Sequence, residues 1–119
     1  MESPKPLENK SLSLIAGRFR VLGDPLRLQL LHLLGESEMS VGALVEASGA
    51  SQANVSKHLQ ILLRAGLVER RKEGLLAYYK VVDPSIFQLC DLVCGRLSEQ
   101  FREDLTAIGL LRHPETGRT

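Results

Sequence analysis

The sequence predicts a mainly α fold carrying one small β-hairpin, and three observations predict it. Met39 to Gly66 divides into two short helices joined by a tight turn at Ser48-Gly49-Ala50. Two alternating runs follow, Leu67 to Lys72 and Ala77 to Val82, with only Glu73-Gly74-Leu75-Leu76 between them, which is the spacing of a hairpin. Amphipathic helical stripes flank this block on both sides, at Leu12, Ile15, Phe19 and Leu22 and again from Ile86 to Phe101. A helix-turn-helix followed directly by a hairpin is a winged helix.

Composition bounds the rest. A chain of 119 residues, 44% of them hydrophobic, can bury one domain's core and hardly two. The opening MESPKPLENK has two prolines and no periodic pattern, so residues 1–10 read as a flexible arm, 11–109 as the winged-helix and dimerisation domain, and 110–119 as a flexible tail. No run approaches the roughly 18 apolar residues of a membrane span, and the N-terminus lacks the apolar stretch of a secretory signal. These features predict a soluble, cytoplasmic protein with no membrane partner. Two cysteines, Cys90 and Cys94, sit in one apolar segment, a pattern that suits a reducing compartment and not a disulfide scaffold.

The elements follow in order. A first helix runs from Glu8 or Ser11 to Leu22 and ends at Gly23. Asp24-Pro25 is a strong helix start, because Asp accepts free N–H groups and proline at the first helical position gives up a donor that had no partner. Leu26, Leu28, Leu30, Leu31, Leu33 and Leu34 make the second helix apolar nearly all round, and predict the buried centre of the domain. His32 is a surface or core histidine, since no second histidine or carboxylate stands at metal-binding spacing. Ser40 caps a third helix that stops at Ala47, and Ser51 caps a fourth in which Val55, Leu59, Leu62 and Leu63 form one apolar stripe. Asp83-Pro84 starts the last long helix, whose stripe of Ile86, Leu89, Cys90, Val93, Cys94, Leu97 and Phe101 runs to near Gly109. A small winged helix cannot cover so long a stripe alone. The first and last helices are therefore expected to pair with their copies in a homodimer, through Leu12, Ile15, Phe19, Ile86, Val93, Leu97 and Phe101.

The fourth helix is built to touch something polar. Gln52, Ser56 and Gln60 fall at spacings of four, beside Ala53, Lys57 and Arg64. Gln reads base edges, while Ser and the helix N-terminus hold phosphates. Short side chains keep the helix thin enough for a DNA major groove. A solvated amphipathic helix would show the same face, so the charge distribution carries weight. Net charge is only +1, yet residues 51–80 hold six cations against two acids, while the segments on either side are slightly acidic. The candidate DNA contacts are Ser51, Gln52, Ala53, Asn54, Ser56, Lys57, His58, Gln60 and Arg64 on the helix, and Arg71, Lys72 and Tyr79 on the wing, with His58 open to a helix-packing role instead. Catalysis finds no support: the cysteines lie mid-helix spaced by three, without the helix-start placement that activates a thiol, and no Ser/His/Asp set or phosphate-binding glycine loop occurs. A winged helix used for protein contacts is the other rival, opposed by the cationic surplus.

The Asp24-Pro25-Leu26-Arg27 start, the Val55-Ser56-Lys57-His58-Leu59 helix and the Arg64-Ala65-Gly66-Leu67-Val68 exit together resemble the ArsR/SmtB family of transcriptional repressors over about residues 11 to 102. The resemblance implies a homodimer on an inverted-repeat DNA operator, released by an inducer that is often a metal ion or metalloid. One inducer site of that family is missing and a second departs from its pattern. Ser40-Val41-Gly42 stands where some members carry a Cys-Val-Cys pair, and Arg96 stands where a zinc-type site needs an imidazole, so a divalent ion would be repelled. Cys90 and Cys94 remain. Spaced i and i+4, they share one helix face and suit a thiophilic metal, a metalloid, an oxidant or a persulfide; equally, they suit packing as small hydrophobes in the dimer interface. A trigonal arsenic(III) site would need a third sulfur from the partner subunit or a small thiol.

Overall fold

Asp24 and Pro25 do what their order requires: the Asp24 Oδ1 accepts the Arg27 backbone N–H at 3.0 Å, and Pro25 occupies the first position of the helix. The structure, a computed structural model, describes residues 8–109. The expected tail, 110–119, and residues 1–7 of the expected arm lie outside the described residues. Asn9 and Lys10, assigned to the arm by the absence of a pattern, instead form the first turn of helix α1, Asn9–Leu22. It is followed by α2 (Pro25–Leu34), β1 (Met39–Ser40), α3 (Val41–Ser48), α4 (Gln52–Arg64), β2 (Val68–Glu73), β3 (Leu76–Val81) and α5 (Ser85–Ala107). The chain divides into two compact units, Met1–Pro84 and Ser85–Thr119, so that α5 is a unit of its own.

In the first unit, α2, α3 and α4 pack around leucines. Leu30, Leu31 and Leu34 of α2, Leu44 of α3, and Val55, Leu59 and Leu62 of α4 are all buried. Leu26, Leu28 and Leu33 are only half-buried, because a helix laid against one side of a small core buries one face however apolar the rest of it is. The α3–α4 turn is closed by Gly49, whose φ of 75° lies in the left-handed region that L side chains enter at a cost. Ser40 and Ser51 accept the backbone N–H groups of Ala43 and Asn54, both at 3.1 Å, and so cap α3 and α4. At the exit of α4, Gly66 takes φ 76°, its N–H donates to the Leu63 carbonyl, and the Leu67 N–H reaches back to the Leu62 carbonyl at 3.0 Å. This double-bonded stop drops Leu67, fully buried, into the core.

The hairpin differs from expectation by one residue at each end: the strands begin at Val68 and Leu76 and pair Val68 with Val81 through Glu73 with Leu76. A third, two-residue strand was not expected, since two residues are too few for any periodicity. Met39 and Ser40 pair with Tyr79 and Tyr78, making an antiparallel sheet of order β1-β3-β2. In the second unit α5 begins at Ser85, one residue past Pro84. Its Val93, Leu97 and Phe101 stand exposed, as do Leu12, Ile15 and Phe19 of α1 in the first unit. Ile86 does not belong with them: it is buried within the chain, so it is removed from the expected dimer surface.

The bonded Arg27 N–H, chiefly, holds the Asp24 carboxyl below its ordinary value against the opposing effect of burial, with the Arg27 guanidinium adding to the lowering. A depressed carboxylate stabilises the fold above its unfolded pKa and loses that contribution as pH falls through the folded one. Asp24→Ala is expected to cost about 1 kcal/mol at neutral pH, as helix N-caps do, in urea unfolding. The gap to wild type should close on acidification, while Asp24→Asn, a cap without a charge, should keep more of its contribution there.

Candidate nucleic-acid interface

Burial along α4 shows which face is free. Val55, Leu59 and Leu62 point into the core, and Gln52, Ala53, Asn54, Lys57 and Arg64 are exposed. Ala53, Lys57 and Arg64, at i, i+4 and i+11, line one stripe of the helix surface, with Gln52 and Ser51 at its N-terminal end. The line expected from Gln52, Ser56 and Gln60 lies to one side of this. Ser56 and Gln60 are half-buried, and the Gln60 Nε2 donates to the Tyr79 hydroxyl at 3.4 Å. Asn54 is exposed, its backbone N–H held by the Ser51 cap. Of the expected α4 contacts, Gln52, Ala53, Asn54, Lys57 and Arg64 are therefore fully open, with Ser56 at the edge.

Two expected contacts belong to the interior. Tyr79 is 3% exposed; on the central strand, its ring fills the core and its hydroxyl is met by Gln60, so it is not a surface for DNA. The His58 side chain, 13% exposed, turns toward α2, where the Arg27 Nη1 donates to its Nδ1 at 2.9 Å and the Asp24 Oδ1 lies at 4.0 Å. Of the two roles open to His58, helix packing is the one this geometry serves.

Strand alternation sorts the wing cations, because residues paired across antiparallel strands share a sheet face. Arg70 pairs with Tyr79 and Lys72 with Ala77, while Arg71 pairs with Tyr78. Tyr79 bonds α4, so Arg70 and Lys72 lie on the α4 side of the sheet, both exposed. Arg71 is on the other side. Its guanidinium lies 4.7 Å over the Tyr78 ring, forks onto Glu38 with bonds of 3.0 Å and 2.8 Å, and also meets Glu73. Hydrogen bonds from Arg71 hold the Glu38 carboxyl below its ordinary value, and Glu38 and Glu73 raise the Arg71 guanidinium further above its own. Arg71 thus spans the sheet from β2 to the residue before β1 with its charge already matched, and Arg70, absent from the expected set, takes its place as a free cation. Strict alternation along Val68 to Lys72 would have separated Arg71 from its neighbours; nothing local to Glu38 announces its partner 33 residues on.

The hairpin tip carries no charge: Leu75 is fully exposed and Leu76 more than half so. In the second unit Cys90 is half-buried and Cys94 exposed, both as free thiols. Among the described residues no group of three or more His, Cys, Asp or Glu side chains could hold a metal ion, and no helix is long and apolar enough to cross a membrane.

Comparison with known proteins gives this surface a context. Residues 24–70 match the family of bacterial regulatory proteins of the arsR type. The cadmium resistance transcriptional regulatory protein CadC of Listeria innocua is 32% identical over 102 residues, spanning 85% of this chain and 82% of that protein. The chain belongs to the ArsR family. As an ArsR-family member it is a DNA-binding transcriptional regulator of the winged helix-turn-helix class. The HTH-type transcriptional regulator KmtR of Mycobacterium tuberculosis is 37% identical over 86 residues, 72% of this chain; the match spans 66% of that relative's length, just under two thirds. Among solved structures, the homodimeric winged helix-turn-helix DNA-binding domain Mb0332 of Mycobacterium bovis superposes with a TM-score of 0.67 at 32% identity, covering 83% of this chain and 92% of that one.

The sorted faces predict separable effects on DNA. Gln52→Ala should relax sequence preference at one base position, at a cost of about 1–3 kcal/mol on the preferred site and little on random DNA. In the same salt titration Lys72→Ala and Arg70→Ala should each lower the slope of log K against log salt by about one, with Arg71→Ala lowering it by less. Equal slopes for all three would show Arg71 to be a phosphate contact after all.

Proposed function

We propose that this protein is a homodimeric repressor that reads an inverted-repeat operator with α4 and is released by an inducer sensed on α5. The observation that carries the reading is the two-sidedness of α4: three buried apolar residues fix it to the core, while Ala53, Lys57 and Arg64 stay open along one stripe, with Gln52 exposed at its N-terminal end and Arg70 and Lys72 on the adjoining sheet face. An open helix face that mixes short neutral and amide side chains with cations matches base edges between phosphates. Two copies related by a two-fold axis would place the two α4 helices in successive major grooves, about one helical turn apart.

Dimerisation is supported by apolar surface within each unit, at Leu12, Ile15 and Phe19 and at Val93, Leu97 and Phe101, and by the homodimeric state of the Mycobacterium bovis relative. Leu97→Asp is expected to sediment as a monomer at micromolar concentration and to lose specific affinity for DNA. Wild-type protein that sediments as a monomer would refute the dimer.

For the inducer, Cys90 and Cys94 are the candidates. They lie one turn apart on α5, Cys94 open to solvent, and no complete metal-binding group exists among the described residues. A thiophilic ion held here would need its remaining ligands from the second copy or a small thiol. CadC, a relative, is named for cadmium resistance, which supports a soft-metal inducer without specifying one. Half-burial of Cys90 favours the competing role, packing. The Cys90→Ser and Cys94→Ser variants separate the two: as sensors, both should bind DNA as wild type does and ignore arsenite, cadmium ions and persulfide; as packing residues, both should be released like wild type.

A further inference from the structure

The Arg27 side chain ties two helices to its own, bonding the end of α1 and the middle of α4. Its Nε donates to the Val21 carbonyl at 2.6 Å and its Nη2 to the Arg20 carbonyl at 3.3 Å, both in the last turn of α1. Its Nη1 donates to the His58 Nδ1 at 2.9 Å, in the middle of α4, and its own backbone N–H is the one that Asp24 caps. A guanidinium only donates, so Nδ1 must accept and the imidazole proton sits on Nε2. His58 is flanked by Lys57, on the open stripe, and Leu59, fully buried.

We propose that Arg27 and His58 are positioning residues for DNA reading: the Arg27 guanidinium clamps α4 to the C-terminal end of α1 and so fixes the rotation of α4 about its own axis. Three apolar residues locate a helix against a core but leave it free to roll by small angles, since apolar packing is not directional. A hydrogen bond is directional, and this one acts on the residue next to Lys57. A roll of α4 moves Gln52, Ala53 and Lys57 sideways together, which alters base readout while leaving the cations near enough to phosphates to hold any duplex. The clamp also joins the reading helix to α1, one of the two helices with an exposed apolar face, so that a change in how α1 meets a second copy is passed to α4 through a single side chain. The inference rests on α4 being the helix that reads DNA, as proposed above.

The test uses the full chain with two duplexes, one selected by the wild-type protein from a randomised pool and one scrambled version of it. His58→Leu keeps the bulk and removes the acceptor; His58→Asn keeps an acceptor near the position of Nδ1. The leucine variant should lose about tenfold in its preference for the selected over the scrambled duplex, within the range of coupled polar pairs, with its affinity for the scrambled duplex and its salt slope unchanged. The asparagine variant should restore most of that preference, which a merely structural role would not predict if both variants melt alike. Should His58→Leu fail to fold, Arg27→Gln, which can bond His58 but cannot also reach both α1 carbonyls, is read in the same assay and should show a partial loss. Retention of the wild-type preference by these variants overturns the clamp alone, whereas a wild-type protein without any sequence preference overturns the reading of α4 and the clamp with it.

Discussion

Everything this molecule offers to DNA depends on the burial of Val55, Leu59 and Leu62 against the leucines of α2 and α3. That contact holds α4 at the surface with one side in the core and the other free, and each further feature is attached to it. Serine caps set where α3 and α4 begin, a left-handed glycine sets the angle between them, and the Gly66 stop delivers Leu67 and Val68 into the same core before the chain turns outward as the wing. Were the stripe any wider, Ala53 and Lys57 would be drawn inward; were it narrower, the helix would have no fixed place.

Charge is arranged by the same geometry. A net charge near zero conceals a local surplus between residues 51 and 80, but the structure shows that not every cation in that surplus is free. Arg71 is matched by two carboxylates and spread over Tyr78. Lys57, Arg64, Arg70 and Lys72 are exposed, the first two on the α4 stripe and the others on the sheet face beside it. The positive field is smaller than the sequence count suggests and better aimed.

Helices, caps and the stop at Gly66 were legible in the sequence because each is written in local chemistry: a serine or aspartate at a helix start, a glycine at a left-handed position, leucines at helical spacing. The wing was legible to within a residue. What could not be seen was made by contacts distant in sequence. Strand β1 exists only because Met39 and Ser40 lie beside Tyr79 and Tyr78, and Arg71 reads as a surface cation until Glu38 is brought to it. Tyr79 was placed among the wing contacts and His58 was left open between DNA and helix packing, because nothing in the neighbouring residues fixes the direction of either side chain. Tyr79 is turned in by its central place in a sheet whose third strand left no periodic trace, His58 by the guanidinium of Arg27. Ile86 was grouped with its stripe by periodicity, which reports the side of a helix and not what covers each turn of it.

Ser40 stands where strand β1 ends and its hydroxyl accepts the Ala43 N–H in the first turn of α3, so one residue closes both a sheet ladder and a helix start. The β part and the α part of the first unit consequently share a hinge-free joint. A lineage of such chains can lengthen or recolour the hairpin tip at Gly74-Leu75 without disturbing anything else, but it cannot discard the hairpin, because removing β3 would strip the partner from the residue that starts the helix-turn-helix.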